Sequence, residues 1–173
     1  LCNMNLEDFR NTPFRMQDLS SVFPNCANLK MKAKRLEYDG DIIRLKKGLY
    51  VASPLTSRME LSPFLLANHI YGPSYVSMQT ALRYYGFIPE AVYSVQSMTT
   101  GVARDYENTV GTFNYIHVPA RYYNIGVTMK ESTGATFMIA TPEKALCDLM
   151  VFTPNLNLRF QTSMRDYLED DIR

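Results

Sequence analysis

The order of patterns between Met16 and Val51 constrains the fold of this 173-residue chain more than any other feature. A short helix, a turn at Pro24-Asn25, a second helix and a tight two-stranded hairpin are predicted to follow one another there. This order is the plan of a winged helix-turn-helix. The residues that remain are enough for a second small domain behind it.

A basic helix is predicted over residues 27–38. Leu29, Ala33 and Leu36 recur at spacings of four and three, which gives one apolar stripe for burial. Gly40 then provides a stop for the helix. The arc between the apolar positions carries four cations: Lys30, Lys32, Lys34 and Arg35.

The hairpin that follows is predicted to turn at Lys47-Gly48. Ile43 and Leu45 precede the turn, and Leu49 and Val51 follow it, each pair spaced by two as in a strand with one buried face. The cations of the hairpin are Arg44, Lys46 and Lys47.

Basic residues on a helix and on the adjacent hairpin are the types that meet a nucleic-acid backbone. We therefore expect the basic helix to enter the major groove of double-stranded DNA and the hairpin to touch the neighbouring phosphates. Base contacts are expected around the start of the helix, at Asn25 and Asn28. The expected phosphate contacts are Lys30, Lys32, Lys34, Arg35, Arg44, Lys46 and Lys47. The alternative for the helix alone is an ordinary solvated basic face.

The predicted fold class is α+β, with the winged helix-turn-helix in residues 1–52 and a mixed α/β domain in residues 59–173. A polar, proline-containing connector, residues 53–58, separates them. In the second domain, Ser77 is expected to cap a helix that ends near Tyr85. Further helices are predicted from Pro63 to Gly72, after Thr141-Pro142 and from about Leu158, and strands over residues 92–100, 112–118, 127–131 and 135–140.

The composition excludes some classes of protein. A formal net charge of +1 means that any DNA binding must come from a local patch. Cys2, Cys26 and Cys147 are odd in number and far apart, which favours free thiols in a reducing cytoplasm. No apolar run reaches the length of a membrane span, and residues 1–10 do not read as a signal peptide.

Several segments resemble the AbiEi family, the antitoxin and transcriptional regulator of bacterial abortive-infection (type IV) toxin–antitoxin systems. The similar segments are RLKKGLY at residues 44–50, GPSYVS at 72–77, ALRYYGFIP at 81–89 and ATPEKALCDL at 140–149. Their order and spacing fit from about residue 16 to residue 150. The resemblance implies a winged helix that represses the protein's own promoter, a following domain with antitoxin function, and a nucleotidyltransferase-like toxin as partner.

The residues predict no cofactor and no metal site. His69 and His117 have no neighbouring ligands at metal-binding spacing and are interpreted as structural. Cys147 lies in an apolar stretch and is expected to be a small core residue. Arg121-Tyr122-Tyr123 is the candidate surface for the partner protein, because exposed tyrosines favour interfaces.

Two other functions remain open beside the DNA-binding repressor. A protein-interaction module would show exposed apolar residues on the basic helix. Because that arc is rich in lysine, we rank this function second. A metal-dependent nuclease would use Glu143, Lys144 and Asp148, which are residue types found in such enzymes. Glu143 also falls in the first turn of a predicted helix, where a carboxylate complements the helix dipole without any catalytic role.

Overall fold

The N-terminal unit consists of short helices and a small antiparallel sheet. A computed structural model describes residues 5–89 and 93–153. The elements of this unit are β1 (Phe14–Arg15), α1 (Leu19–Val22), α2 (Leu29–Asp39), β2 (Ile42–Lys46) and β3 (Leu49–Ala52). Two 3₁₀ turns accompany them, one before β1 at Leu6–Phe9 and one between β1 and α1 at Met16–Asp18.

Helix α2 forms close to where its apolar stripe predicts it. Ala33 and Leu36 are buried, and Leu29 packs against the same cluster. The side-chain oxygen of Asn28 accepts the backbone N–H of Met31 at 3.1 Å, so Asn28 is the N-cap. Gly40 ends the helix at φ +80°, a left-handed conformation that favours glycine.

The predicted hairpin is confirmed, and a third strand joins it. β2 and β3 pair antiparallel around a two-residue turn, in which Gly48 has φ +81°. β1 pairs with the other edge of β3, so the sheet order is β1-β3-β2. A strand of two residues is too short for a hydrophobic period to reveal it.

Strand β3 is buried on both faces. Tyr50 and Ala52 belong to a small core with the helices of the first unit. Leu49 and Val51 belong to a larger core that contains residues of the second unit, and Leu45 of β2 joins them. The small sheet is therefore a layer between the N-terminal helices and the rest of the molecule.

A β-bulge interrupts the pairing of β2 with β3. Arg44 pairs with Tyr50, but Lys46 pairs with Leu49, so β2 carries one extra residue at this point. Regular alternation would place Lys46 on the same face as Arg44. Instead, the Lys46 ammonium donates a hydrogen bond to the carbonyl of Ile70, in the second unit.

The connector predicted at residues 53–58 contains a short helix. Ser53 caps α3 (Pro54–Ser57) by accepting the backbone N–H of Leu55, and its own N–H donates to the carbonyl of Asp41 at 2.9 Å. The connector is thus hydrogen-bonded to the first unit rather than extended away from it.

The second unit is a six-stranded mixed sheet with helices packed on it, and the predicted α+β class is confirmed. The strand order is β6-β7-β5-β4-β9-β8, with β5–β7 and β4–β9 parallel and the other pairs antiparallel. The elements are α4 (Pro63–Ile70), β4 (Ser74–Val76), α5 (Met78–Tyr84), β5 (Ser94–Thr99), β6 (Arg104–Asn108), β7 (Gly111–His117), α6 (Ala120–Tyr123), β8 (Val127–Ser132), β9 (Ala135–Ala140) and α7 (Pro142–Phe152).

Most elements of this unit lie where they are predicted. Thr141 caps α7 by accepting the N–H of Lys144 at 3.3 Å, and Ser62 caps α4 in the same way. β4 and β6 are additional strands, and β6 is polar along its length, which conceals it in the sequence. The start of the predicted strand at Val92 and the helix predicted from Leu158 lie outside the described residues.

None of the helices in residues 5–89 and 93–153 combines the length and the apolar character that crossing a lipid bilayer requires.

Candidate nucleic-acid interface

The exposed face of α2 presents three of the four cations predicted on that helix. Lys30, Lys34 and Arg35 are exposed, and so are Asn25 and Asn28 at the start of the helix. Asn28 uses one lone pair of its side-chain oxygen for the helix cap, and both of its amide N–H groups remain for a base edge.

Two of the four helix cations also have partners within the protein. The ammonium of Lys32 lies 4.5 Å from the centre of the Phe23 ring, a cation–π contact. The guanidinium of Arg35 lies 3.6 Å from the carboxylate of Asp39. Lys30 and Lys34 show no ion pair within the described parts of the chain, so their charges are the most available for a polyanion.

Two of the three predicted hairpin cations are exposed, and the third is bonded within the protein. Arg44 and Lys47 are exposed. Lys46 is not free at the tip, because its ammonium donates to the carbonyl of Ile70 and lies 5.9 Å from the centre of the Tyr106 ring. The bulge in β2 turns this side chain toward the second unit, a change of direction that the alternation of residues does not predict.

The exposed face of α2 is not purely polar. Met31 is 62% exposed and Tyr38 is 91% exposed. Spaced by seven residues, they lie on the same side of the helix, with Lys34 and Arg35 between them. The lysine-rich arc therefore also carries the exposed apolar residues that a protein-interaction module would show, which strengthens that alternative.

A cavity of about 500 Å³ lies where the hairpin meets the second unit, and we call it the junction groove. It is lined by Pro13, Arg15, Gln17, Asp18, Lys46, Lys47, Gly48, Leu49 and His69. Sequence reasoning missed Arg15, Gln17 and His69 as site residues. Only the packing of α4 against the hairpin brings His69 near Lys47, because the two are 22 positions apart in the chain.

The predicted partner surface at residues 121–123 is largely buried. Arg121 is exposed, but Tyr123 is only 7% exposed and its ring packs edge-on against Tyr75 at 5.0 Å. Tyr122 is half-buried and covers the ammonium of Lys144. Burial raises the pKa of both tyrosine hydroxyls. The expectation of exposed tyrosines here is wrong, since both rings complete the core beside α7.

Glu143, Lys144 and Asp148 do not converge on one site. Glu143 is exposed, whereas Lys144 and Asp148 are buried and form an ion pair of 3.1 Å. Five helical positions separate Glu143 from Asp148, which places them on different sides of α7. The two carboxylates therefore cannot share a metal ion in the way the nuclease hypothesis requires.

Asp148 is instead the centre of a buried hydrogen-bond network. Its Oδ2 accepts the hydroxyl of Ser77 at 2.6 Å and that of Tyr75 at 3.1 Å. Burial, with the nearby Asp148 charge, raises the pKa of Tyr75. Lys144 also donates to the carbonyl of Tyr122 at 3.3 Å. Ser77 occupies the predicted N-cap position of α5, but its hydroxyl makes no cap hydrogen bond and donates to Asp148 instead.

The cysteines agree with the sequence predictions only in part. Cys147 is exposed, which contradicts its predicted place in the core, and both Cys147 and Cys26 are free thiols. Cys2 lies outside the described residues.

His117 Nδ1 lies 2.8 Å from the carbonyl of Gly101, and desolvation lowers the pKa of His69. Within residues 5–89 and 93–153, no cluster of His, Cys, Asp or Glu is arranged to hold a metal ion.

The structure thus defines an α+β protein with a small antiparallel sheet, a mixed six-stranded sheet and a set of exposed cations on α2 and the β2–β3 turn. No protein-family model matches the chain, and no curated protein matches it.

Proposed function

We propose that this chain is a DNA-binding transcriptional repressor whose N-terminal unit is a winged helix-turn-helix. The observation that carries the proposal is the pairing of α2, with its exposed cations, and the β2–β3 hairpin, whose turn carries Lys47. Helix α2 would lie in the major groove, and the hairpin would be the wing that contacts the adjacent backbone.

The arrangement of the small sheet supports this proposal. Two helices, α1 and α2, precede the hairpin, and β1 pairs with β3 to give the order β1-β3-β2. In this arrangement, α2 packs Ala33 and Leu36 inward and turns Lys30 and Lys34 outward. A helix held by one face and free on the other is what insertion into a groove requires.

The distribution of charge points the same way. Residues 1–52 contain nine Lys and Arg against six Asp and Glu. The remaining residues contain nine against eleven. The positive surplus of a nearly neutral chain is therefore confined to the unit proposed to bind DNA, which favours phosphate contact there.

The resemblance to the AbiEi family extends the proposal beyond DNA binding. On that basis the chain would repress its own toxin–antitoxin operon, counteract a nucleotidyltransferase-like toxin and act in the cytoplasm without catalysing a reaction. The toxin-facing surface is then sought around exposed Arg121 and not on the buried rings of Tyr122 and Tyr123.

The test is binding to the DNA upstream of the protein's own gene as salt is raised. Replacing Lys30 and Lys34 together by alanine should weaken binding and flatten the plot of log K against log salt by about 0.9 for each lost phosphate contact. Fluorescence anisotropy of a labelled duplex measures both quantities.

Lys130→Ala is the matched control, because Lys130 is an exposed lysine on β8 of the second unit. It should leave affinity and slope unchanged. Binding that is absent, or that responds equally to Lys130→Ala and to the α2 variants, would contradict a DNA interface on α2.

A second candidate function follows from the exposed Met31 and Tyr38. A protein-interaction module would bury these side chains in a partner, as apolar and aromatic residues are buried at interface cores. Met31→Lys with Tyr38→Ala should then abolish co-purification with the protein encoded next to this gene. If the chain is instead only a DNA-binding repressor at α2, that complex should survive the two substitutions.

A further inference from the structure

The junction groove joins the two units of the molecule. Arg15 and Gln17 line it from the side of β1, Lys47 and Gly48 from the turn of the hairpin, and His69 from the last turn of α4. Its volume of about 500 Å³ is larger than a single phosphate group needs, and it is open to solvent along one side. A backbone segment with its flanking sugars could therefore enter it.

The groove is positively charged. Three of its nine lining residues are cations, and Asp18 is the one carboxylate among them. One oxygen of Asp18 already accepts the backbone N–H of Arg15 at 2.6 Å. The Lys46 ammonium donates one N–H to Ile70, which leaves two for a ligand, whereas Arg15 and Lys47 are exposed.

The donors that surround the groove suit a tetrahedral anion. A guanidinium offers a planar fork of N–H groups, and an ammonium offers a point charge with three donors. The imidazole of His69, which also lines the groove, adds a third kind of donor. Desolvation lowers the pKa of His69, which favours the neutral ring, a donor that can supply a hydrogen bond without a charge.

We propose that the junction groove binds a phosphate group and that this group belongs to the backbone of the DNA duplex. The choice of source rests on the proposed function, because the Lys47-Gly48 turn is both a wall of the groove and the tip of the proposed wing. His69 then makes the second unit part of the DNA interface, beside α2 and the hairpin.

The first arm of the test measures DNA binding against salt for two variants. Arg15→Ala removes a charged contact, so the slope of log K against log salt should fall by about 0.9 and affinity at 0.1 M salt should drop about eightfold. His69→Ala removes a neutral donor, so affinity should fall while the slope stays unchanged. Lys130→Ala, at an exposed position on β8, is the control and should alter neither.

The second arm titrates inorganic phosphate into the protein and follows the imidazole signals by NMR. The chain has two histidines, so His117, on β7 and bonded to Gly101, serves as the internal reference. We expect phosphate to shift the His69 signals with saturation, to leave His117 in place and to lose this effect in Arg15→Ala.

The outcomes separate this proposal from the one on which it rests. If DNA binding depends on Lys30 and Lys34 but Arg15→Ala and His69→Ala leave it unchanged, the repressor stands and the groove proposal is wrong. If phosphate saturates His69 while both variants bind DNA normally, the groove serves a free phosphorylated molecule and the DNA assignment is overturned. If the wild-type chain does not bind DNA, the proposed function itself fails.

Discussion

Two ion pairs with the same spacing lie in opposite environments in this molecule. Arg35 and Asp39 are four positions apart on α2, 3.6 Å from each other, with side chains 78% and 47% exposed. Lys144 and Asp148 are four positions apart on α7, 3.1 Å from each other, with side chains 4% and 0% exposed. Spacing alone would assign both pairs the same role.

Their environments give them different roles. Because the first pair is exposed to water, it contributes little to stability, and the Arg35 guanidinium can leave Asp39 to bind a phosphate. The second pair is desolvated, so each charge depends on the other and on the hydroxyls of Ser77 and Tyr75. The exposed Arg35 of α2 is therefore available to a ligand, whereas Lys144 and Asp148 of α7 are held in contacts that stabilise the fold.

The largest expected effect comes from breaking the buried pair. Asp148→Ala leaves the Lys144 ammonium unpaired in the core and removes the acceptor of two hydroxyls, so it should lower the free energy of unfolding by about 3–5 kcal/mol. Urea unfolding followed by circular dichroism measures this loss.

A paired substitution controls that experiment. Lys144→Met combined with Asp148→Leu removes both charges while keeping volume, and it should be markedly less destabilising than Asp148→Ala alone. An Asp148→Ala protein as stable as the wild type would show that the network around Asp148 does not hold α7 to β4.

The neighbouring lysines of the hairpin should show an intermediate effect. Lys46→Met removes the charged hydrogen bond to Ile70 and should cost about 1.5–3 kcal/mol. Lys47→Met alters an exposed side chain and should change stability by less than about 0.5 kcal/mol. Thermal unfolding of the two variants, side by side, tests whether the bulge in β2 separates their roles; equal melting temperatures would contradict it.

The smallest effect is expected at the exposed pair. Arg35→Ala should change the free energy of unfolding by less than about 0.5 kcal/mol, because the pair with Asp39 is solvated and screened by salt. The same unfolding assay applies, with Asp39→Ala as the companion variant. If Arg35→Ala lowered the free energy of unfolding as much as Asp148→Ala does, the two ion pairs would not differ in their contribution to stability.

Local patterns were sufficient for the elements with a strong period or a clear cap. The stripe of Leu29, Ala33 and Leu36 predicts α2 to within two residues at its start, and Thr141-Pro142 marks the start of α7. The Lys47-Gly48 turn is also found where it is predicted. In these cases the residues that decide the structure are neighbours in the chain.

Features that depend on distant partners could not be read in the same way. Ser77 resembles a helix cap, but an acceptor 71 positions away takes its hydroxyl. Lys46 reads as an outward cation, but one extra residue in β2 turns it toward Ile70. Cys147 falls in an apolar stretch, yet on α7 it is exposed, because burial depends on which elements pack against the helix. His69 joins the junction groove only through tertiary packing.

The double burial of β3 limits how this protein can be dissected. A fragment that ends at Ala52 keeps the DNA contacts predicted from the sequence, but it loses His69 of the junction groove and strips the cover from Leu45, Leu49 and Val51. An uncovered apolar strip on a short sheet invites self-association. Failure of such a fragment to bind DNA would combine the loss of solubility with the loss of His69, so DNA binding is best measured on point variants of the intact chain.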